Sequence, residues 1–242
     1  MLTKEEIVIL HTVKHSDKGI VVNGYSSKYG RSSYYYYVSK KNGGTIHLAP
    51  LTILETVVFY KHAQGVGGSG LPIIKEMEPS VKLHSLRSNI HKSAIAIFIC
   101  ELIYQSIREI EPNINLHKFI VTSTQILEEL EEGVENFHLY FIANFCKVMG
   151  YMPYNNYSAE YKHFNFIQGQ YIESYSEENC FSPINSQLLN RVLTTPISEL
   201  KNINCNGKGR SDFLEEMIKY IEYHTQTLLH LKSLTVLSEI FS

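Results

Sequence analysis

The first 80 residues alternate between hydrophobic and polar positions in short runs. A period of two is typical of β-strands that bury one face. The runs that fit are EEIVILHTVKH (5–15), KGIVVNGYSSKY (18–29), GRSSYYYYVSKK (30–41), TIHLAPLTILETVVFYKH (45–62) and LPIIKEM (71–77). Glycine and asparagine at Gly19, Gly30 and 42–44 suit tight turns because they tolerate positive φ angles. Five strands joined in this way predict a small closed barrel with antiparallel pairing.

From about residue 85 the hydrophobic period becomes that of an α-helix. One face of the first helix carries Ile90, Ala94, Ile97, Phe98 and Leu102. Its other side is apolar as well, which predicts a central, buried helix that ends near Glu111 and Pro112. Further helices are predicted at 115–132, 137–148, 184–193, 211–230 and 233–241. Residues 151–183 lose the helical period, so we expect an irregular or partly stranded insertion there.

Length and charge narrow the function classes. With 242 residues, 44% of them hydrophobic, the chain can form one large domain or two smaller ones. The formal net charge of −2 is unevenly spread: the first 80 residues carry nine Lys or Arg and six Asp or Glu, a net +3, and the remainder carries −5. A basic N-terminal part is what a nucleic-acid face needs, although an asymmetry of this size also arises by chance.

Cysteine spacing and hydropathy indicate the compartment. Cys100, Cys146, Cys180 and Cys205 are widely spaced and form no CxxC pair. This spacing argues against a disulfide framework and a four-cysteine zinc site, and it predicts reduced thiols. The N-terminal MLTKEEIVIL lacks the apolar core of a signal peptide, and the longest apolar run, 94–103, is too short to span a bilayer. We therefore predict a cytoplasmic protein with no membrane partner.

Motifs for enzymatic chemistry are weak. The segment GVGGSG (65–70) matches GxGxxG, but another strand follows it instead of the helix that would present its N-terminus to a pyrophosphate. His11 and His15 are four residues apart in a predicted strand, roughly 13 Å, so they cannot share a metal ion. No Ser/His/Asp or Cys/His order stands out. We predict no catalytic residue and no cofactor, with unrecognised carboxylate chemistry as the enzymatic alternative.

An acidic cluster closes the predicted helix 115–132. It consists of Glu128, Glu129, Glu131 and Glu132. The helix dipole disfavours anions at this end, so we interpret the cluster as a solvated face, with partner binding as the alternative.

Four consecutive tyrosines, 34–37, lie in a predicted strand with basic residues on both sides. Side chains alternate along a strand, so Tyr34 and Tyr36 share the face that we expect to be buried, and Tyr35 and Tyr37 share the more polar face. Unpaired bases stack on aromatic rings for about 1–3 kcal/mol each, which makes Tyr35 and Tyr37 the predicted stacking residues. The predicted phosphate-binding residues are Lys14, Lys18, Lys28, Arg31, Lys40 and Lys41. The alternative is that both tyrosines are ordinary surface residues of a strand.

Five segments occur in a distinctive order. They are ILHTVKHSDKGIVVNGYSSKYGR (9–31), HLAPLTILETVVFYK (47–61), IHKSAIAIFICELIYQSIRE (90–109), ELEEGVENFHLYF (129–141) and LKSLTVLSEIF (231–241). In order and spacing they resemble the bacterial recombination mediator family RecO over nearly the whole chain. The resemblance implies an α+β architecture: a five-stranded OB-fold barrel that binds nucleic acid over 1–80, then a helical domain over 81–242 that a small zinc-finger-like insertion interrupts at 151–183.

The resemblance also implies a role and partners. Proteins of this family act without catalysis in DNA repair and homologous recombination. They bind single- and double-stranded DNA and anneal complementary strands. They contact RecR and the C-terminal tail of single-stranded DNA-binding protein, and through these contacts they help to load RecA onto DNA. A hydrophobic pocket with nearby cations in the helical domain is expected to receive the acidic, aromatic-ended tail, and the candidate cations are Arg87, Lys92 and Arg108.

Two departures from the family pattern change these expectations. Many members hold zinc through four cysteines in the module that corresponds to residues 151–183, whereas here that stretch contains only Cys180. We therefore expect no metal, and a module held by apolar packing and hydrogen bonds. The loop after the tyrosine strand, KKNGGTIH (40–47), is shorter and less basic than is usual in the family. The alternative function is therefore a protein-interaction scaffold of the repair machinery with little intrinsic DNA binding.

Overall fold

The N-terminal strands form a closed barrel. The computed structural model describes residues 1–38, 46–60, 70–107 and 111–242, so Lys40, Lys41, Arg108 and most of the glycine segment 65–70 lie outside the described residues. The strands are β1 (Leu2–Ser16), β2 (Gly19–Ser26), β3 (Gly30–Tyr37), β4 (Ile53–Phe59) and β5 (Ile73–Pro79). They follow the order β1-β2-β3-β5-β4, and β4 pairs with β1 to close the barrel. The predicted five-stranded OB-fold barrel is confirmed.

Strand pairing differs from the prediction at one seam. The consecutive pairs β1–β2, β2–β3 and β4–β5 are antiparallel, as hairpins favour, and β1–β4 is antiparallel as well, but β3 and β5 run parallel where Tyr35 pairs with Ile73. This contact closes the barrel between strands that no hairpin joins. The predicted fourth strand is also shorter at its start, because Ile46–Leu48 forms a 3-10 turn and Leu51 has a positive φ of 58°.

The tyrosine strand divides its side chains between two environments. Tyr34 and Tyr36 are buried inside the barrel with Ile7, Val22 and Leu54, while Tyr37 on the opposite face is 56% exposed. The predicted alternation of faces is confirmed. The Tyr34 and Tyr60 hydroxyls donate hydrogen bonds to the Glu5 carboxylate at 3.2 and 2.6 Å. Both oxygens of this buried carboxylate therefore accept a hydrogen bond.

Seven helices follow the barrel within the described residues. They are α1 (His84–Ser88), α2 (Ile90–Ser106), α3 (Ile114–Glu129), α4 (Phe137–Val148), α5 (Pro183–Thr194), α6 (Gly207–Thr225) and α7 (Ser233–Ile240). The predicted central helix is α2, which buries Ala94, Phe98 and Leu102 on one side and Ile95, Ile99 and Ile103 on the other. Two residues of the predicted face, Ile90 and Ile97, are 63% and 44% exposed, and the helix ends at Ser106 instead of near Glu111. α6 begins earlier and ends earlier than predicted, because Asn206 caps its first turn and Gln226 adopts a left-handed φ of 52°. None of these helices is long and apolar enough to cross a membrane.

One hydrophobic core continues across the predicted boundary near residue 80. Val8, Leu10 and Tyr25 point out of the barrel and pack with the residues of α2 to α7 instead of with the barrel interior. The Cys100 thiol of α2 lies 3.4 Å from the Ile9 carbonyl oxygen at this junction. One side of the barrel is therefore covered by helices, and only the remaining sides can meet a partner.

The insertion at 151–183 is an aromatic module. Its regular structure is a short hairpin of β6 (His163–Asn165) and β7 (Gln170–Ile172). The buried Phe164 ring lies 5.2 Å from Tyr171, 5.0 Å from Phe181 and 5.6 Å from Tyr220 of α6. Asn156 exchanges two hydrogen bonds with the Tyr171 backbone at 2.8 and 2.9 Å. Within the described ranges, no three His, Cys, Asp or Glu residues are grouped so that they could hold a metal ion.

Acid is expected to destabilise the fold through His138 of α4. This ring is 1% exposed and packs 5.4 Å from Phe241, and burial together with the Arg210 guanidinium lowers its pKa to about 3 from 6.5. The contribution of neutral His138 to the free energy of unfolding is therefore fully present above about pH 6.5. It is lost as the pH falls toward 3, by up to about 1.4 kcal/mol per pH unit. Urea unfolding across this range measures the slope. In His138→Phe the slope of the free energy of unfolding against pH should be smaller by the amount that one proton contributes, about 1.4 kcal/mol per pH unit. An unchanged slope in that variant would assign the effect to other groups.

Candidate nucleic-acid interface

The two predicted stacking residues lie side by side on the outside of the barrel. The Tyr35 and Tyr37 rings are 4.7 Å apart and tilted by 66°. They face Val21 and Gly19 across the β2–β3 ladder. The Tyr35 hydroxyl lies over Gly19, where any side chain would collide with it. Glycine at this position therefore leaves room for the end of the Tyr35 side chain over β2.

Two predicted cations lie at the same end of the barrel. Lys14 and Lys18 belong to the β1–β2 hairpin, both are exposed, and Val38 donates to the Lys18 carbonyl at 3.0 Å. Lys14 pairs with the exposed Asp17 at 3.4 Å, a contact worth little in solvent. We call Lys14, His15, Lys18, Tyr35 and Tyr37 the hairpin-tip surface. The register pairs Lys14 with Ile20 and Ile20 with Tyr36, so Lys14 lies on the other face of the sheet from the two rings, at the same end of the barrel. Aromatic rings with cations at the same strand ends suit an unpaired strand that passes over this end.

Two other predicted DNA-binding residues, Lys28 and Arg31, are not part of this surface, and Lys40 and Lys41 lie outside the described residues. Lys28 and Arg31 lie near the far end of β2 and β3, roughly 20 Å away along seven residues of strand. Arg31 donates to the Tyr104 carbonyl of α2 at 2.9 Å and lies 5.0 Å over the Tyr104 ring. Lys28 lies 5.4 Å over the neighbouring Tyr29 ring. Arg31 therefore joins the barrel to α2, a role that the sequence did not indicate.

The opposite side of the barrel is acidic. Glu6, Glu55 and Glu78 are direct neighbours across β1, β4 and β5, because Glu6 pairs with Glu55 and Glu55 with Glu78. They line a groove of about 830 Å³ together with Glu76, Lys4 and other residues of these strands. Like charges directly opposite one another destabilise a sheet and repel phosphate. The barrel is thus polarised, with its acidic side turned away from the hairpin-tip surface.

Two of the predicted partner-binding cations, Arg87 and Lys92, make hydrogen bonds within the protein, and Arg108 lies outside the described residues. Arg87 donates to the Pro50 carbonyl at 2.8 Å and to the Thr52 hydroxyl at 2.6 Å, and it ties α1 to the barrel. Lys92 is 3% exposed, and its ammonium donates to Ser85 Oγ and to the Glu128 carbonyl, both at 2.7 Å. Burial lowers the pKa of Lys92. Lys92 therefore presents no accessible charge on the surface.

The interpretation of Glu128 as part of a solvated face is wrong. Its carboxylate accepts hydrogen bonds from the backbone N–H groups of Ser85 and Leu86 at 2.8 and 2.7 Å. These are N–H groups at the start of α1, where an anion is favoured. The pairing of α3 with α1 is a tertiary contact, so a reading of the local charge pattern could not find it. Glu132, by contrast, is exposed and pairs with Lys201 at 2.6 Å.

Known proteins resemble this chain over its full length. The DNA repair protein RecO of Christiangramia forsetii is 29% identical over 245 residues, and those of Flavobacterium psychrophilum and Phocaeicola vulgatus are each 26% identical over 246 residues. In all three comparisons the match covers 100% of both chains. Residues 87–235 match the family model described as Recombination protein O C terminal. Because this match spans more than half of the chain, the protein belongs to the RecO family of DNA repair and recombination proteins.

Proposed function

We propose that the protein binds single-stranded DNA through the hairpin-tip surface and anneals complementary strands. The observation that carries this proposal is the pair of outward-facing rings, Tyr35 and Tyr37, which are 4.7 Å apart at the end of the barrel where the β1–β2 hairpin carries Lys14 and Lys18. Tyr37 is 56% exposed, so its ring is accessible to an unpaired base. Family membership supports the same conclusion.

The proposed mechanism needs no covalent step. Cations at the hairpin tip neutralise phosphates and release counterions, which lets two DNA strands approach each other. The tyrosine rings hold bases unpaired until complementary bases meet, since stacking tolerates any sequence. Double-stranded DNA binds through the phosphate contacts alone. The acidic side of the barrel repels the DNA backbone, so the path of the strand is confined to the β1–β2–β3 side.

We assign the protein partners by family membership: RecR, the C-terminal tail of single-stranded DNA-binding protein and, through them, RecA. The tail is acidic and requires a cation beside an apolar surface. Of the two candidates that the structure describes, Arg87 has the exposed side chain and Lys92 is buried. We therefore retain Arg87 for the tail contact.

Annealing of complementary oligonucleotides tests the proposal. We expect the full chain to accelerate annealing, with and without single-stranded DNA-binding protein on the DNA. Affinity for single strands should fall with rising salt, with a slope of about −0.7 in log K against log salt for each phosphate contacted. Two lysines therefore predict a slope of about −1.4 or steeper. Absence of DNA binding even at low salt would reject the proposal.

A second candidate function is a scaffold for repair proteins with little intrinsic DNA binding. The acidic row Glu6, Glu55 and Glu78 favours this candidate. The three carboxylates repel one another, and a partner protein with a basic surface would relieve that repulsion on binding. This candidate predicts that RecR and single-stranded DNA-binding protein are retained while free oligonucleotides are not. The same annealing assay distinguishes the two.

A further inference from the structure

A third ring continues the row that Tyr37 and Tyr35 begin. The His15 ring at the end of β1 lies 5.8 Å from the Tyr35 ring at an angle of 81°. The strand β2 runs between β1 and β3, so rings on these two strands would ordinarily lie about 10 Å apart, with a β2 side chain between them. Here β2 begins with Gly19, which pairs with Ser16 on one side and with Tyr37 on the other. The absent side chain lets the rings of β1 and β3 meet.

The charged groups around His15 come from its own hairpin. They are Lys14, Asp17 and Lys18, and the Asp17 carboxylate lies 3.4 Å from Lys14 Nζ. From β3 the Tyr35 ring packs against His15, and Tyr37 lies beyond it. The hairpin around His15 is therefore cationic on balance.

We propose that His15 contacts DNA, and that its protonation strengthens the binding of single strands, so affinity rises as the pH falls. This inference rests on the proposed function of the hairpin-tip surface. The neutral ring adds a third aromatic face next to Tyr35, since imidazole also stacks on bases. The protonated ring adds one cation to the path of the phosphate backbone.

The size of the effect follows from counterion release. Each phosphate neutralised on a single strand changes the slope of log K against log salt by about 0.7. At about 0.1 M salt, one added contact therefore tightens binding about five-fold.

Fluorescence anisotropy with oligo(dT) and the full chain tests the inference. Between about pH 8 and about pH 5.5 the unmodified protein should bind about five-fold tighter, and its salt slope should steepen by about 0.7. His15→Gln should bind with nearly constant affinity across this range. His15→Phe keeps the ring, so it should match the unmodified protein near pH 8 and show no gain near pH 5.5.

His11→Gln is the matched control. His11 is exposed on the same strand, but its ring lies 5.7 Å from Tyr104 of α2, away from the row. This variant should keep the five-fold gain. A gain that persists in His15→Gln, or an unmodified protein whose DNA affinity does not change with pH, overturns the inference and leaves the proposed function standing. Absence of binding by the unmodified protein at every pH and at low salt overturns the proposed function, and this inference with it.

Discussion

Replacing Phe164 by alanine should lower the free energy of unfolding by about 3–5 kcal/mol. Phe164 is fully buried and contacts three other aromatic rings, one of which, Tyr220, belongs to α6. Alanine would leave a cavity and remove edge contacts, each worth about 0.5–1.5 kcal/mol beyond the buried area. The module has only two three-residue strands, so little regular structure would compensate. Urea unfolding monitored by circular dichroism measures the loss.

Tyr161→Ala is the control for Phe164→Ala. Tyr161 belongs to the same module and is also aromatic, but it is 41% exposed where Phe164 is fully buried, so we expect a change within about 0.5 kcal/mol. A small effect of Phe164→Ala would show that something other than aromatic packing holds the module. Stoichiometric zinc by metal analysis, or a lower melting temperature after treatment with a chelator, would identify a metal as the cause.

The barrel could be predicted from the sequence because its signals are local. Alternation along the tyrosine strand placed Tyr34 and Tyr36 inside and Tyr37 outside, as the structure has them. Turn residues such as Gly19 and Gly30 marked where hairpins join the strands. The parallel contact between β3 and β5 was missed, since it joins strands that no hairpin connects and leaves no mark in the sequence between them.

The grouping of the candidate site depends on contacts between distant residues. Arg31 and Lys14 look equivalent in sequence, yet Arg31 binds the carbonyl of Tyr104, 73 positions away, and Lys14 stays at the hairpin tip. Lys92 reads as a surface charge, yet it is enclosed between α1 and α3. In each case a tertiary partner decides whether a cation is available to DNA, and local charge patterns do not contain that partner.

His15 is a candidate site residue that the sequence did not single out. In sequence, His11 and His15 are only a pair of histidines in a strand, too far apart to share a metal ion. What distinguishes His15 is Gly19, four residues later, which clears the space for a ring from β3. A glycine at the start of a strand is the available signal, but it becomes informative only once the register of β1, β2 and β3 is known.

Removing both exposed rings of the tyrosine strand should weaken single-strand binding strongly. Base stacking on an aromatic ring is worth about 1–3 kcal/mol, so Tyr37→Ala alone should reduce affinity roughly 5- to 150-fold. Adding Tyr35→Ala should reduce it further. The two losses need not add, because the rings are 4.7 Å apart and one base can contact both. Anisotropy with oligo(dT) at fixed salt measures the change.

Two controls separate stacking from folding in this experiment. Tyr35→Phe and Tyr37→Phe keep the rings and should bind within about two-fold of the unmodified protein, because stacking uses the ring face and not the hydroxyl. Tyr154→Ala removes a tyrosine that is 65% exposed but lies in the module at 151–183, so its DNA affinity should not change. The salt slope should stay the same in all the tyrosine variants, since Lys14 and Lys18 remain. Unchanged affinity of the double alanine variant would return both tyrosines to ordinary surface residues and leave phosphate contacts as the whole of DNA binding.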